Sequence, residues 1–333
     1  MTRPIDRPIF VIGMPRSGTT VLFEAFAARP DLAWLSQCHE HWPGIPACAV
    51  LSRLTDLTPA MRRSVGRSDQ RRPWLERLRI GPVEAYEFWE RYCGKKFRYD
   101  FLLDTEATAQ EAASIRTRIA TILRYQGKPR FAAKITGPGR IRYLSSIFPD
   151  ARFVHVVRDG RAVVHSLLKA PFWQARSQNL EPAWQHGLDS TDVGDWRSHG
   201  SSLVALTAVQ WRRVVESIRA EAAEVAADRY AETTYERFVS NPHGVLDRMA
   251  LACDLPPSHH EHHFVDRRLN LRNMNYQWIE HFSPEEVATL TELLGRALTQ
   301  LGYDRISPTA PLDGELLTRP FATASSDSAG RVV

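Results

Sequence analysis

Gly13-Met-Pro-Arg-Ser-Gly-Thr-Thr20 follows an apolar, β-branched run and opens a stretch with the composition of a helix. In that position free backbone N–H groups and the positive end of a helix converge on an anion, so the segment reads as a phosphate cradle. A second segment, Val157-Arg-Asp-Gly-Arg-Ala-Val-Val-His-Ser166, has the same surroundings: an apolar run before it and a helical pattern after it. Arg158 can meet a phosphate with two parallel N–H groups, and Ser166, in the helix beyond, can donate a hydroxyl to the same group. Lys134 ends another apolar run, just before the turn Thr136-Gly-Pro-Gly139.

The first segment has the spacing G-x-x-x-x-G-T-T, which differs from the P-loop at one position: Thr19 stands where the loop has the lysine that reaches the β- and γ-phosphates. A nucleoside-triphosphate enzyme needs that lysine, a hydroxyl on Mg²⁺ and an acidic metal partner at the end of another strand. Arg16 supplies the extra charge instead, and a ligand with a 5′-phosphosulfate in place of a triphosphate needs no Mg²⁺ clamp. A P-loop kinase or other nucleotide phosphotransferase, and a non-catalytic nucleotide-binding module, are the rival readings. No apolar strand ending in a suitable aspartate supports the first of them, and Lys134 argues for chemistry over binding alone.

Together the two segments resemble the PAPS-dependent sulfotransferases (PAPS, 3′-phosphoadenosine 5′-phosphosulfate), in which P-R-S-G-T-T is the 5′-phosphosulfate loop and R-D-G-R-x-x-x-x-S holds the 3′-phosphate. Phe148-Pro-Asp-Ala-Arg-Phe-Val154 and Thr234-Tyr-Glu-Arg-Phe-Val-Ser-Asn-Pro242 occur in the same order as in that family, so the resemblance covers most of the chain. The tyrosylprotein and bacterial small-molecule branches are the nearest in motif style. The resemblance implies that Pro15, Arg16, Ser17, Gly18, Thr19 and Thr20 bind the phosphosulfate, and that Arg158 and Ser166 bind the 3′-phosphate. It places Tyr235 against the nucleotide, and Arg272 in the segment Arg267–Asn275 where the family has a loop that closes over the cofactor. Lys134 and Arg16 would stabilise the departing phosphate. The tyrosylprotein branch carries a glutamate shortly after the second strand; counting from the cradle reaches Gln37, and a short insertion would bring Glu40 into register as the general base. His41 and His39 are chemically competent alternatives, since imidazole titrates near neutral pH. PAPS is then the co-substrate, PAP (3′-phosphoadenosine 5′-phosphate) the product, no metal is required, and the acceptor is a hydroxyl on a small metabolite, glycolipid or phenol.

The elements that must position these groups follow from periodicity. Residues 7–13, 131–134 and 151–157 read as strands buried on both faces, and 230–234 as a further strand. Helices are expected over 19–29, 140–148, 202–227, 242–253 and 284–301, the last opened by the capping box Ser283-Pro-Glu-Glu286. Strand–helix alternation predicts an α/β fold, a single domain over 1–307 with a central parallel sheet flanked by helices, P-loop-like, with helical insertions at about 42–127 and 170–201 shaping the acceptor site. Trp173, Trp184, Trp196 and Tyr86 either stack on the acceptor or pack the insertions down. The tail 308–333 has the composition of a disordered segment.

With 333 residues, 43% hydrophobic and 24% charged, the chain can bury a substantial core. Cys38, Cys48, Cys93 and Cys253 have neither metal-site spacing nor the density of a disulfide-stapled protein. The apolar run 9–14 is too short for a signal segment, and nowhere do about eighteen apolar residues run together, so a cytoplasmic location is expected. The net charge of +5 comes without a long basic run, which fits a small polyanionic ligand rather than nucleic acid. His259-His-Glu-His-His263, after Pro256-Pro257, reads as a solvated helix start rather than a metal site.

Overall fold

The computed structural model describes residues 5–57, 80–177 and 187–303. Its strands are β1 (Ile9–Gly13), β2 (Leu32–Ala33), β3 (Arg130–Thr136), β4 (Arg152–Val157) and β5 (Tyr230–Thr234). They form one sheet in the order β2-β3-β1-β4-β5, every pair parallel. The alternation of side chains explains why β1 reads as an unbroken apolar run. Ile9 and Val11 enter one core with the helices Thr19–Phe26, Pro242–Ala252 and His260–Arg268. Phe10 and Ile12 enter the other, with Ala109–Gln126, Ile141–Ile147, Gly160–Leu168, Leu203–Val225 and Pro284–Gln300.

Register brings the chemistry-bearing segments together. Gly13 pairs with Thr136 and Val11 with Lys134 on one side of β1, while Ile12 pairs with His155 of β4 on the other. The cradle after β1 therefore lies between the ends of β3 and β4, at the carboxyl edge where ligands of open parallel sheets bind.

The expected strands and helices are all present, most within two residues of their expected bounds. The helix from Thr19 ends at Phe26, short of Arg29. Pro30 disfavours helical backbone at the residue before it, and the last turn tightens, Ala28 N–H donating to Ala25 O at 3.0 Å. The two-residue β2 was not expected: it pairs with β3 directly after Pro30-Asp31. Arg29 is fully buried and donates to Glu261 at 2.7 Å, Asp31 at 2.9 Å and the Pro256 carbonyl at 2.7 Å. Glu261→Gln removes the buried counter-charge, and the urea midpoint should fall by an amount equivalent to about 3 kcal/mol.

Glu261 thus belongs to the core rather than to a histidine cluster. His262 pairs with Asp247 at 2.9 Å and His243 with Asp266 at 3.0 Å, their rings stacked 4.5 Å apart. Among the described residues no group of three or more His, Cys, Asp or Glu is placed to hold a metal ion. No described helix is long and apolar enough to cross a membrane.

Part of the first insertion joins the core. Phe88, Trp89 and Phe97 join the larger cluster, Trp89 stacking on Phe97 at 4.8 Å. In the second, Trp173 is buried with Nε1 donating to Thr207 Oγ1 at 3.0 Å, and Trp196 Nε1 donates to the Ser202 carbonyl at 3.1 Å. Both rings pack the chain down. Trp184 and the tail 308–333 lie outside the described residues.

Candidate active site

The cradle is a backbone structure whose residue types are dictated by what crowds it. A Cβ on Gly13 would sit 2.4 Å from the carbonyl oxygen of Val156 on β4, and one on Gly18 would sit 2.4 Å from the Tyr235 ring. Gly18 has φ +82° and Arg16 has φ +72°. For arginine that conformation costs roughly 1–2 kcal/mol, the kind of strain that gathers at ligand-binding turns. The helix Thr19–Phe26 starts without a side-chain cap and without an acid in its first turn, leaving its N–H groups for a ligand. Ser17 is buried and its Oγ has no hydrogen-bond partner. A donor left unsatisfied inside a ring of N–H groups fits an anionic oxygen of a phosphate or sulfate.

Arg158 ties the two sequence motifs and the C-terminal loop into one wall. Its Nε donates to Asn275 Oδ1 at 2.8 Å, one terminal nitrogen to the Arg16 carbonyl at 3.0 Å and the other to the Met274 carbonyl at 3.1 Å. The guanidinium lies 4.4 Å from the centre of the Tyr235 ring, whose hydroxyl donates to the Arg272 carbonyl at 2.6 Å. Asn275 in turn donates to the half-buried Glu236, which also accepts from the Asp159 N–H and the Tyr303 hydroxyl. Burial lowers the pKa of Arg158, with the neighbouring Arg16 charge acting in the same direction. Arg16 Nε donates to Ser166 Oγ at 2.9 Å, closing the ring across 150 residues of sequence.

These groups open on a cleft of about 400 Å³. Arg16, Arg158 and Lys169 line it, with His165, Ser166, Tyr235, Phe172, Met274 and Gln277, and no aspartate or glutamate is among its described lining residues. Three cations without an acid make a site for a polyanion. Burial, helped by Lys169 and His281, depresses His165 to about 4, so a neutral imidazole stands beside the cations.

On the β3 side of the cradle, Lys134 Nζ donates to Thr20 Oγ1 at 2.7 Å and lies 3.4 Å from Glu84 Oε1. Thr136 Oγ1 donates to the same carboxylate oxygen at 2.6 Å.

A sequence model of the sulfotransferase family matches residues 8–261, a span that contains the cradle, Lys134, Arg158, Ser166 and Tyr235. The chain belongs to the sulfotransferase family. Protein-tyrosine sulfotransferase 1 of Danio rerio is 25% identical over 264 residues, covering 77% of this chain and 57% of that protein. Omega-hydroxy-beta-dihydromenaquinone-9 sulfotransferase Stf3 of Mycobacterium tuberculosis (strain CDC 1551 / Oshkosh) is 26% identical over 225 residues, covering 63% of this chain and 52% of that one. The chain thus spans little more than half the length of these two relatives. The crystal structure of sulfotransferase STF9 from Mycobacterium avium has the same fold, with a TM-score of 0.57 at 19% identity, over 90% of this chain and 77% of that chain.

The structure brings the cradle residues Arg16 to Thr20 together with Lys134, Arg158, Ser166 and Tyr235. From the C-terminal loop the structure uses the Arg272 carbonyl, while the Arg272 side chain is exposed and Met274 and Gln277 reach the cleft. Glu40 lies on the helix Gln37–His41, and its carboxylate accepts the Glu87 N–H at 3.3 Å. His41 is exposed, its ring 6.1 Å from that of Trp42. No hydrogen bond among the described residues joins Glu40 or His41 to the cradle or to Lys134. Lys169, His165 and Glu84 were not singled out from sequence. Ala162, His165, Ser166 and Lys169 form an i, i+3, i+4, i+7 face, so extending the face of Ser166 would have found two of them.

His39 is buried, and its Nδ1 accepts the Ser36 N–H at 3.0 Å, a helix-start contact that needs the neutral ring. Burial depresses its pKa to about 4, against about 6.5 in the unfolded chain. Its contribution to stability is complete above pH 6.5 and is lost as pH falls toward 4, by up to about 3 kcal/mol. Urea unfolding at pH 7.5 and pH 5 should show a smaller loss on acidification for His39→Asn than for the unsubstituted protein.

Proposed function

We propose that the chain transfers a sulfuryl group from PAPS to a hydroxyl acceptor, releasing PAP. The observation that carries this reading is the acid-free cleft lined by Arg16, Arg158 and Lys169 beside a cradle whose Ser17 hydroxyl is unsatisfied. Arg16, Ser17, Gly18, Thr19 and Thr20 would hold the 5′-phosphosulfate, and Arg158 with Ser166 the 3′-phosphate, with Tyr235 against the nucleotide. PAPS supplies the group that moves: its bond from sulfur to the phosphate oxygen breaks as the acceptor oxygen bonds to sulfur. Cradle N–H groups, Arg16 and Lys134 would stabilise the charge that collects on the departing phosphate. Thr19, where a triphosphate enzyme has the lysine that reaches the β- and γ-phosphates, is buried and uncharged.

The acceptor class is an alcohol or phenol. Names of relatives with a tyrosine and an omega-hydroxy-dihydromenaquinone support that range. The spacing of the four cysteines, neither that of a metal site nor that of a disulfide framework, supports action in a reducing compartment such as the cytoplasm.

Calorimetric titration with PAP, beside ATP with Mg²⁺, tests the donor. Micromolar PAP binding, with ATP at least tenfold weaker, is the expected result; tighter ATP binding would replace this reading with phosphotransfer. Labelled PAPS offered with tyrosine peptides and with long-chain alcohols then sorts the acceptors.

A further inference from the structure

Glu84 lies against Lys134 on the β3 side of the cradle. Lys134 and Thr136 alternate along β3 and share one face, and both address Glu84 Oε1, at 3.4 and 2.6 Å. Lys134 also reaches Thr20 Oγ1 at 2.7 Å, so one ammonium group separates the cradle hydroxyl from the carboxylate. The backbone around Glu84 is clamped: Val83 N–H donates to the Leu35 carbonyl at 2.9 Å, and Trp89 Nε1 donates to the Glu84 carbonyl at 3.2 Å. The side chain is a quarter exposed, and no hydrogen bond among the described residues claims Oε2. One oxygen is thus held by two donors and the other is left for a further partner, next to the cation that would meet the leaving phosphate.

We infer that Glu84 is the general base of the transfer, which rests on the sulfotransferase reading above. Glu84 Oε2 takes the acceptor hydroxyl proton as the acceptor oxygen bonds to sulfur. The electron pair of the breaking sulfur–oxygen bond passes to the phosphate beside Lys134.

The reverse reaction separates this role from mere support of Lys134. With PAP as acceptor and aryl sulfates as donors, the protonated Glu84 delivers a proton to the departing phenolate. A stable nitrophenolate hardly needs that proton, whereas an unsubstituted phenolate, with a pKa of about 10 like tyrosine, does. Glu84→Gln should bind PAP within about threefold of the unsubstituted protein. It should lose under tenfold with 4-nitrophenyl sulfate and about 10²–10³-fold with phenyl sulfate. Added formate should restore part of the phenyl sulfate rate to Glu84→Ala. A loss of equal size across the series, no loss, or the graded loss in Glu40→Gln instead would overturn the assignment. Failure of the unsubstituted protein to bind PAP would overturn the sulfotransferase reading itself.

Discussion

Arg158→Ala is expected to weaken PAP binding about 10³-fold, to a level calorimetry at micromolar protein no longer detects. The guanidinium has five N–H donors, three of which hold Asn275 and the carbonyls of Arg16 and Met274. The remainder face a cleft that contains no acid among its described lining residues, so a phosphate is their natural partner. Two charge-assisted hydrogen bonds at roughly 2 kcal/mol each give the factor stated. Arg158→Lys keeps the charge and loses the fork; it should recover no more than about tenfold of the loss. The same substitutions loosen the loop at Met274–Asn275, so a thermal melt accompanies the titration. Near-wild-type melting with lost binding assigns the effect to the phosphate contact.

Lys134→Ala should lower the transfer rate by about 10³-fold while PAP affinity changes by less than about tenfold. The asymmetry follows from position. Lys134 is anchored to Thr20 at the rim of the cradle, where on the proposed reaction charge would accumulate only as the sulfur–oxygen bond breaks, and a donor aimed at developing charge acts on the transition state more than on the bound state. Single-turnover kinetics with saturating PAPS read the rate directly. Equal losses in affinity and rate would make Lys134 a binding residue only. Lys134→Arg should not restore the rate, since a planar fork does not fit between Thr20 Oγ1 and Glu84 Oε1 as a single ammonium does.

The double role of Arg158 explains why Glu236 and Asn275 matter without lining the cleft. Burial raises the pKa of Glu236, yet its carboxyl group accepts from Asn275, the Asp159 N–H and Tyr303, and Asn275 fixes the Arg158 fork. The C-terminal loop is thereby joined to the end of β4 by side chains rather than by sheet hydrogen bonds. Within the loop that holds Arg272, the anchoring contacts are the Arg272 carbonyl, which accepts from Tyr235, and Asn275, which accepts from Arg158.

What the sequence determined by itself was whatever depends on neighbours along the chain. The two-faced apolar runs of β1, β3 and β4 fixed a buried parallel sheet, because only strands covered on both sides lack a polar alternation. Gly13, Gly18 and the hydroxyl residues Ser17, Thr19 and Thr20 marked the cradle, because a turn that brings backbone N–H groups onto an anion leaves no room for Cβ atoms. Arg158 and Ser166 were legible for the same reason: eight residues apart, they sit at one strand end and along the helix it feeds. The tertiary structure alone decided which side chain stands beside Lys134. Gln37, Glu40, His39 and His41 were the candidates that counting from the cradle could reach. Glu84 arrives from a segment that pairs back onto residues 35–37, about fifty residues from the strand it meets, and no local pattern encodes that meeting. Trp173 and Trp196 went the same way, since an aromatic ring looks alike in sequence whether it packs or binds, and only their partners, Thr207 for Trp173 and Ser202 for Trp196, show them packing.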